Sequence, residues 1–460
     1  MIDNMISQKD NNRKLILAIF FILSVLILAS FCFYSIETVL IITAFIVLTG
    51  LVYKPEIGLY LMVLFLPVIN WNFYYGNLEI PFIDLLSLAV VTVFLFRQAY
   101  LFLFNRENFK ISWPLFFSFS FFFATAVISS LFSDNVSLSL WYVVRWILFF
   151  YLIYLVLPYN LIKDKRILKN ILIWFAISSV VVAVSGVISL YSQDWQNDFV
   201  RIKPLGIAGV YPTGDNQNLL AEVLIAGIFF ALALKYWFQT ERQKRLINLL
   251  IIFLSIILIG TFSRAAWIAL AIQILIYFSY KKELFRKALL PAFLVILLLT
   301  PIYYYMFRLQ SQYSIGVSST ENRLLLTQIS WRAFTDKPWF GQGSGNFVSL
   351  VADNIRFRAK YGDPIDSHGV WQKILAENGL AGVLTFALFS FNIFYLFYKA
   401  LKHRSNEFDL LLPLVIGSLG IYLFEFFNTS YYKGKLWLPI AVTLSAINLA
   451  RNKKLYAEKN

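Results

Sequence analysis

The chain of 460 residues is 59% hydrophobic and 18% aromatic, and only 14% of its residues are charged. Because soluble domains carry about 25% charged residues, this composition excludes an ordinary soluble protein and indicates a membrane protein. The formal net charge of +15 would suit a nucleic-acid partner, but the basic residues are split between two faces of the predicted bundle, which argues against that role. The single cysteine, Cys32, excludes disulfide bonds and cysteine metal sites.

Apolar segments of membrane-spanning length recur along almost the whole chain. A spanning helix needs roughly 20 mostly apolar residues, which predicts an all-α polytopic membrane protein of about 12–14 transmembrane helices. The candidate spans are 14–34, 37–53, 57–70, 81–104, 113–133, 138–158, 167–191, 218–238, 245–262, 264–280, 287–306, 379–398, 409–427 and 436–450. The long segment 307–376 between two of them is predicted to be a partly helical loop outside the membrane.

The basic residues predict how these spans are oriented. With the N-terminus in the cytoplasm, 26 of the 40 lysines and arginines fall at inner span ends, as the positive-inside rule requires. Both termini are therefore predicted to be cytoplasmic and the long loop to lie on the opposite, outer side of the membrane. The expected parts are a bundle of about eleven spans over 1–306, the loop 307–376 with the candidate site, and the last spans and tail over 377–460.

Two arginines stand in apolar surroundings. Arg145 lies within the sixth span, roughly 10 Å below its outer end at 1.5 Å per residue, and Arg264 lies in the outer turn between the ninth and tenth spans. An arginine inside a membrane costs at least about 2.5–3.5 kcal/mol on insertion scales, so it normally faces a partner or a wet cavity. Because the guanidinium fork suits bidentate phosphate binding, we interpret both residues as phosphate ligands.

Three acidic residues lie at a similar depth. Asp84 stands at the outer start of the fourth span, Glu222 one turn into the eighth, and Glu425 at the outer end of the thirteenth. They either pair with the arginines and fix helix packing or line the site, and both interpretations stay open.

The outer segment 192–217 carries Arg201 and is rich in glycine, proline and asparagine, which indicates a loop. Asn218 is predicted to cap the eighth span. The N-terminus of that helix would then direct its positive dipole end and free N–H groups towards the outer pocket.

The long loop is predicted to begin with a helix capped by Thr320, with Arg323 in its first turn, that ends before Pro338. A glycine-spaced run follows, in which Gly341, Gly343 and Gly345 allow close approach to the backbone. Without a strand before it and a helix after it, such spacing is only a weak indication of phosphate binding.

A second loop helix is predicted to start near Asp366 or Ser367 and to end at a cap on Gly379. It would place His368 in its first turn, near the membrane surface. The other histidine, His403, falls on the predicted cytoplasmic side, so outer-face imidazole chemistry has only His368. A structural role for this histidine remains the alternative. No metal-ligand set marks the outer face, so arginines rather than a metal would neutralise a pyrophosphate.

These motifs resemble the signature of the O-antigen ligase and polymerase family, over roughly 200–390. The residues that carry the resemblance are Arg201, Gly206 and Asn218, Thr261-x-Ser263-Arg264-x-x-Trp267, Asn322-Arg323, Trp331, the run Pro338–Phe347, His368, and Leu375-Ala-Glu377-x-Gly379-x-x-Gly382. Gly369 departs from the pattern, since the family commonly has Asn or Ser there.

The resemblance implies a GT-C-like membrane glycosyltransferase of the bacterial inner membrane that works at the periplasmic face without a metal or other cofactor. Its donor would be a glycan on undecaprenyl diphosphate, and its acceptor a hydroxyl of lipid A-core or of another glycan. By analogy, Arg201, Arg264 and Arg323 would hold the diphosphate. His368 would position or deprotonate the acceptor hydroxyl, and the attack would invert the anomeric carbon.

The predicted site combines both lines of reasoning. Its members are the catalytic His368 and Arg264, the diphosphate ligands Arg201, Arg264, Arg323 and Arg145, and the supporting residues Asn218, Glu222, Asp84, Glu377 and Gly343. A repeat-unit polymerase of the same family needs the same diphosphate site and is the first alternative. A solute permease is the second, although no internal repeat is visible and the candidate residues lie in the outer third of the spans rather than at the midplane.

Overall fold

The computed structural model describes residues 50–51, 54–75, 78–104, 111–194, 200–207, 209–283, 300–301, 304, 308, 315–402, 406–428 and 431–451. The chain divides into two compact units, Met1–Leu59 with Leu86–Lys110, and Tyr60–Leu85 with Ile111–Asn460. All members of the predicted site belong to the second unit.

The described residues form fourteen helices and one short β-hairpin. The helices are α1 Pro55–Phe65, α2 Phe82–Phe104, α3 Phe116–Leu131, α4 Val136–Leu161, α5 Lys165–Ser192, α6 Gln217–Tyr236, α7 Glu241–Gly260, α8 Arg264–Tyr280, α9 Ile315–Asp336, α10 Phe347–Ala352, α11 Ile355–Tyr361, α12 Val370–Lys402, α13 Phe408–Glu425 and α14 Gly434–Arg451. In the hairpin, β1 (Asn72–Tyr75) runs antiparallel to β2 (Leu78–Pro81), with Asn72 opposite Pro81.

Seven of these helices, α2, α4, α5, α6, α7, α12 and α13, are long and apolar enough to cross a membrane. The prediction of an all-α polytopic membrane protein is therefore confirmed. The helices α1, α3, α8 and α14 coincide with four further predicted spans. The predicted spans 14–34, 37–53 and 287–306 lie wholly or almost wholly outside the described residues.

The helices α6 and α13 form the interior of the bundle. Of the most apolar stretch of each helix, 72% is buried in α6 and 78% in α13, whereas only 22% is buried in α7. The helix α7 therefore leaves most of its apolar surface available to lipid. Gln273 of α8 joins the two interior helices, because its Nε2 donates to the carbonyl oxygens of Ile225 (3.3 Å) and Ile416 (3.0 Å). Such a bond satisfies a polar group that would be costly to bury alone.

The helix α4 departs from regular geometry where it carries Arg145. It is π-helical over Val143–Leu148 and again over Phe150–Val156. Because π-helical turns are rare and are frequently found at functional sites, this local geometry singles out the segment around Arg145.

The long loop is more helical than predicted and has an apolar core of its own. Leu326 of α9, Phe347 and Val351 of α10 and Phe357 of α11 are all buried in this core. The short helices α10 and α11 were not predicted. Because their apolar residues are few and closely spaced, they do not show the periodicity of a longer helix.

Two predicted helix boundaries in the loop are wrong. The helix α9 begins at Ile315 rather than after Thr320, so Arg323 lies well inside it and not in its first turn. The helix α12 begins at Val370, which leaves His368 in the turn before the helix. Gly379, predicted as a cap, does leave the helical conformation (φ 64°) and separates the loop part of α12 from its membrane part.

Candidate active site at the loop end of the bundle

One end of the bundle, here called the loop end, carries the segment 192–217, the turn between α7 and α8, and the long loop. Arg264 is the first residue of α8 and is exposed. The turn before it is tight: Phe262 has a φ of 56°, a conformation that is costly for a bulky side chain. Thr261 Oγ1 holds this turn by accepting a hydrogen bond from Ser263 N (3.2 Å) and donating one to Leu258 O (2.6 Å).

Asn218 stabilises the same turn from α6. The prediction that it caps this helix is wrong, because the cap is Asn216, whose side chain accepts a hydrogen bond from Asn218 N (2.9 Å). The side chain of Asn218 instead accepts a hydrogen bond from Ser263 Oγ at 2.7 Å. Asn218 therefore ties the start of α6 to the residue immediately before Arg264.

Arg201 lies in a segment that runs alongside this turn. The next residue, Ile202, donates a backbone hydrogen bond to Gly260 O (2.9 Å), and a Cβ added to Gly260 would lie 2.7 Å from Ile202 Cδ1. The side chain of Gln193 holds the backbone of Arg201 with two hydrogen bonds. Its Nε2 donates to Arg201 O (2.8 Å), and its Oε1 accepts from Arg201 N (3.2 Å). Burial lowers the pKa of the half-buried Arg201 side chain.

The long loop adds Arg323 and His368 to this end. Burial, and then the positive charge of Arg264, lower the pKa of Arg323. Burial, and then the positive charge of Arg323, lower the pKa of His368, while the carboxylate of Asp366 opposes that shift. Arg323 therefore lies within electrostatic reach of both Arg264 and His368. The buried Nε of Arg323 has no hydrogen-bond partner among the described residues.

His368 is held in a short turn whose backbone is fixed by its neighbours. Asp366 Oδ1 accepts from Ser367 N (2.9 Å), and Ser367 Oγ donates to Gly369 O (3.0 Å). A lowered pKa keeps the imidazole of this half-buried residue neutral at about pH 7. In that form a ring nitrogen can accept a proton.

A buried ion network, which the sequence analysis did not anticipate, lies beside His368. Lys373 Nζ donates to both oxygens of Asp366 (2.7 and 2.8 Å) and lies 3.4 Å from Glu377 Oε1. Tyr432 OH donates to Asp366 Oδ2 (3.2 Å). Nζ also lies 5.4 and 5.6 Å from the ring centroids of Tyr142 and Tyr432. The one available signal was the four-residue spacing of Lys373 and Glu377, which puts both on one face of a helix.

The glycine-spaced run packs against protein backbone. Gly343 N (2.9 Å) and Ser129 Oγ (2.6 Å) both donate to the carbonyl oxygen of Glu377. The side chain of Glu377 accepts from Phe347 N (3.1 Å), and a Cβ added to Gly343 would lie 2.4 Å from Ser133 Cβ. Glu377 and Gly343 thus clamp the loop onto α3 and onto the loop part of α12.

The acidic residues of the predicted site have basic or hydroxyl partners. Glu222 pairs with Lys435 of α14 (3.4 Å), and Asp84 accepts from Tyr154 OH (3.4 Å) within electrostatic reach of Arg145. These contacts fit the packing interpretation of both acids. Among the described residues, no group of three or more His, Cys, Asp or Glu side chains is placed to hold a metal ion.

Arg145 contacts an aromatic side chain that packs against the buried ion network. Its guanidinium lies 4.8 Å from the ring centroid of Trp146, and Trp146 packs on Tyr432 at 5.0 Å. Through Tyr432, Arg145 is linked to the buried network on Asp366. The structure thus brings Arg201, Arg264, Arg323, Asn218 and His368 around the α7–α8 turn and the start of α12, and places Arg145 beside Asp84.

Part of the chain matches a known protein family. Residues 249–387 match the family model of the O-antigen ligases. The resemblance to the O-antigen ligase and polymerase family is confirmed. The matched segment contains Arg264, Arg323 and His368, whereas Arg145 and Arg201 precede it. The O-antigen ligase match supports a membrane enzyme of the ligase or polymerase type; no curated protein matches the chain.

Proposed function

We propose that this protein transfers a glycan from undecaprenyl diphosphate to an acceptor hydroxyl at the periplasmic face of a bacterial inner membrane, with both termini in the cytoplasm. The observation that carries the proposal is the grouping of Arg264, Arg323 and His368 inside the O-antigen ligase segment. Two guanidinium groups that repel each other are held together at a cost. A bound diphosphate would remove that cost.

The proposed chemistry is a single displacement. The acceptor oxygen attacks the anomeric carbon of the donor glycan, the bond from that carbon to the phosphate oxygen breaks, and undecaprenyl diphosphate leaves with the bonding electrons. Arg264 and Arg323 stabilise the charge that develops on the leaving oxygen. The neutral imidazole of His368 takes the hydroxyl proton. Attack from the opposite face inverts the anomeric carbon, and in this scheme arginines do the work that a metal ion would otherwise do.

The remaining predicted residues are proposed to act around this centre. Arg201, beside the same turn, would contact the diphosphate directly. Arg145 would contribute its charge from its position between Asp84 and Trp146. Asn218 would keep the Arg264 turn in place through Ser263. The other supporting residues, with the contacts described above, are Glu222, Asp84, Glu377 and Gly343.

The acceptor decides between the two members of the family. A ligase would transfer the glycan to lipid A-core, and a polymerase would transfer it to another lipid-linked repeat. Both reactions use the same donor, so the diphosphate site favours neither. A permease is less well supported, because the candidate residues gather at the loop end rather than at the midplane, where transporters place their sites.

The test is transfer from a defined lipid-linked oligosaccharide to each acceptor by the purified protein. Arg264→Ala and His368→Ala are each expected to lower the rate by at least about 10²-fold, the usual cost of removing one group that stabilises transition-state charge. Arg358→Ala is the matched control, since Arg358 is exposed on α11 in the same loop. Near-normal rates in both active-site variants would overturn the proposal, and the product identifies the acceptor.

A further inference from the structure

A cavity lies at the end of the bundle opposite the loop end. It has a volume of about 480 Å³ and opens between the last turns of α6 and α8 and the first turn of α13. Each of these three helices has its other terminus at the loop end, so the helix lengths separate this cavity from the candidate active site. It therefore has no part in the transfer proposed above.

Three lysines give this cavity its charge. Lys281 forms an ion pair with Asp409 (2.5 Å), which also lines the cavity, and Lys244 pairs with Glu241 (2.9 Å). Lys235 is half-buried and makes no ion pair with any described residue. With three amines and a single carboxylate in its lining, the cavity suits an anion, and Lys235 has the amine best placed to receive it.

The rest of the lining is apolar and aromatic. Tyr236 and Phe238 line it on the α6 side, Tyr277 on the α8 side, and Leu412 on the α13 side. A small soluble anion needs only the amines, whereas an amphipathic molecule uses both kinds of surface. Lysine and tyrosine at the ends of membrane-spanning helices lie at the depth of lipid headgroups, and basic pockets between such helices bind anionic headgroups.

We propose that this cavity binds an anionic phospholipid. Lys235, with Lys244 and Lys281 at its sides, contacts the phosphate of the headgroup. The first part of the acyl chains packs against Tyr277 and Leu412. The proposal does not depend on the glycosyltransferase activity, because it concerns different residues at the other end of the bundle.

The test compares lipids bound to the purified full-length protein by native mass spectrometry and by thermal unfolding. Phosphatidylglycerol is expected to bind and to raise the unfolding temperature more than phosphatidylcholine does. Lys235→Ala should weaken phosphatidylglycerol binding by about fivefold, the scale of one lysine at an anionic headgroup. Lys399 is exposed in the last turn of α12. The control variant Lys399→Ala should bind phosphatidylglycerol as the unchanged protein does. If Lys235→Ala does not fold, Lys244→Ala replaces it, with the same expected loss.

Three results would overturn this assignment. The first is equal binding of phosphatidylglycerol by the unchanged protein and by the lysine variant. The second is equal binding of phosphatidylglycerol and phosphatidylcholine. The third is an equal rise of the unfolding temperature with inorganic phosphate at the same concentration as phosphatidylglycerol. The site would then bind a soluble anion, and its apolar walls would have no role.

Discussion

Two groups of cations lie close together at the loop end and differ in what balances their charge. Lys373 is buried and is held by the carboxylates of Asp366 and Glu377. Arg264 and Arg323 instead raise each other's electrostatic energy, and the buried Nε of Arg323 has no hydrogen-bond partner among the described residues. The cation of the first group already has carboxylate partners within the protein. The partner that we propose for the second group is the anionic diphosphate of the donor.

The difference separates structure from function among residues that look alike in the sequence. A buried cation that is already paired holds together the helices and loops that carry its partners. Its removal leaves buried carboxylates without a compensating charge. A set of like charges that perturb one another in an accessible place is typical of a binding site. Lys435, which is buried near Glu222 (3.4 Å), follows the first pattern.

Replacing the paired cation should have the largest effect on stability. Lys373→Met leaves Asp366 and Glu377 without their cation and is expected to destabilise the fold by about 3–5 kcal/mol, the usual cost of breaking a buried ion pair. Thermal unfolding of the purified protein measures this. Arg323→Met is the contrasting change: it should leave the unfolding temperature nearly unchanged while transfer falls. Equal destabilisation by the two changes would remove the distinction between the groups.

The second largest loss of stability is expected at Gly343, which packs against Ser133 and donates a hydrogen bond to Glu377 O. Gly343→Ala adds a Cβ that would lie 2.4 Å from Ser133 Cβ, at a φ of 99°. The combined overpacking and strain are expected to cost about 2–4 kcal/mol in unfolding free energy. Gly362→Ala is the matched control, because φ is also positive there (80°) but a Cβ would meet nothing within 4 Å. If both variants lose the same stability, close packing against Ser133 has no role.

The parts of the site that the sequence could reveal are those with a local signal. An arginine in an apolar run stands out by itself, and Arg264 does occupy the turn between two bundle helices. The cap at Gly379 follows from the preference of glycine for positive φ. The composition and the lengths of the apolar segments were sufficient for the all-α membrane class.

The rest of the site depends on contacts between residues far apart in the chain. Asn346 Nδ2 donates to Ser133 Oγ (2.7 Å) across 213 positions, and no local pattern marks such a pair. Asn216 and Asn218 are both good caps, so only the position of Ser263 shows which of them turns towards the Arg264 turn. The network around Lys373 includes Tyr432, which lies on a distant segment, so no local pattern could reveal it in full.

The smallest expected effect is a shift in the pH dependence of transfer, and it tests whether the unpaired arginines act on the histidine. Burial, and then the charge of Arg323, lower the pKa of His368 from its ordinary value of 6.5, so the neutral form required for proton abstraction persists below that pH. The acid limb of kcat/KM should therefore lie below 6.5. Arg323→Gln removes one cause of the lowering and should move this limb to higher pH, in addition to reducing the rate. Arg332→Gln, at an exposed arginine on the same helix, should leave the limb in place. A limb that does not move in Arg323→Gln would show that the arginine charge does not reach the imidazole, and the two would then act as separate groups.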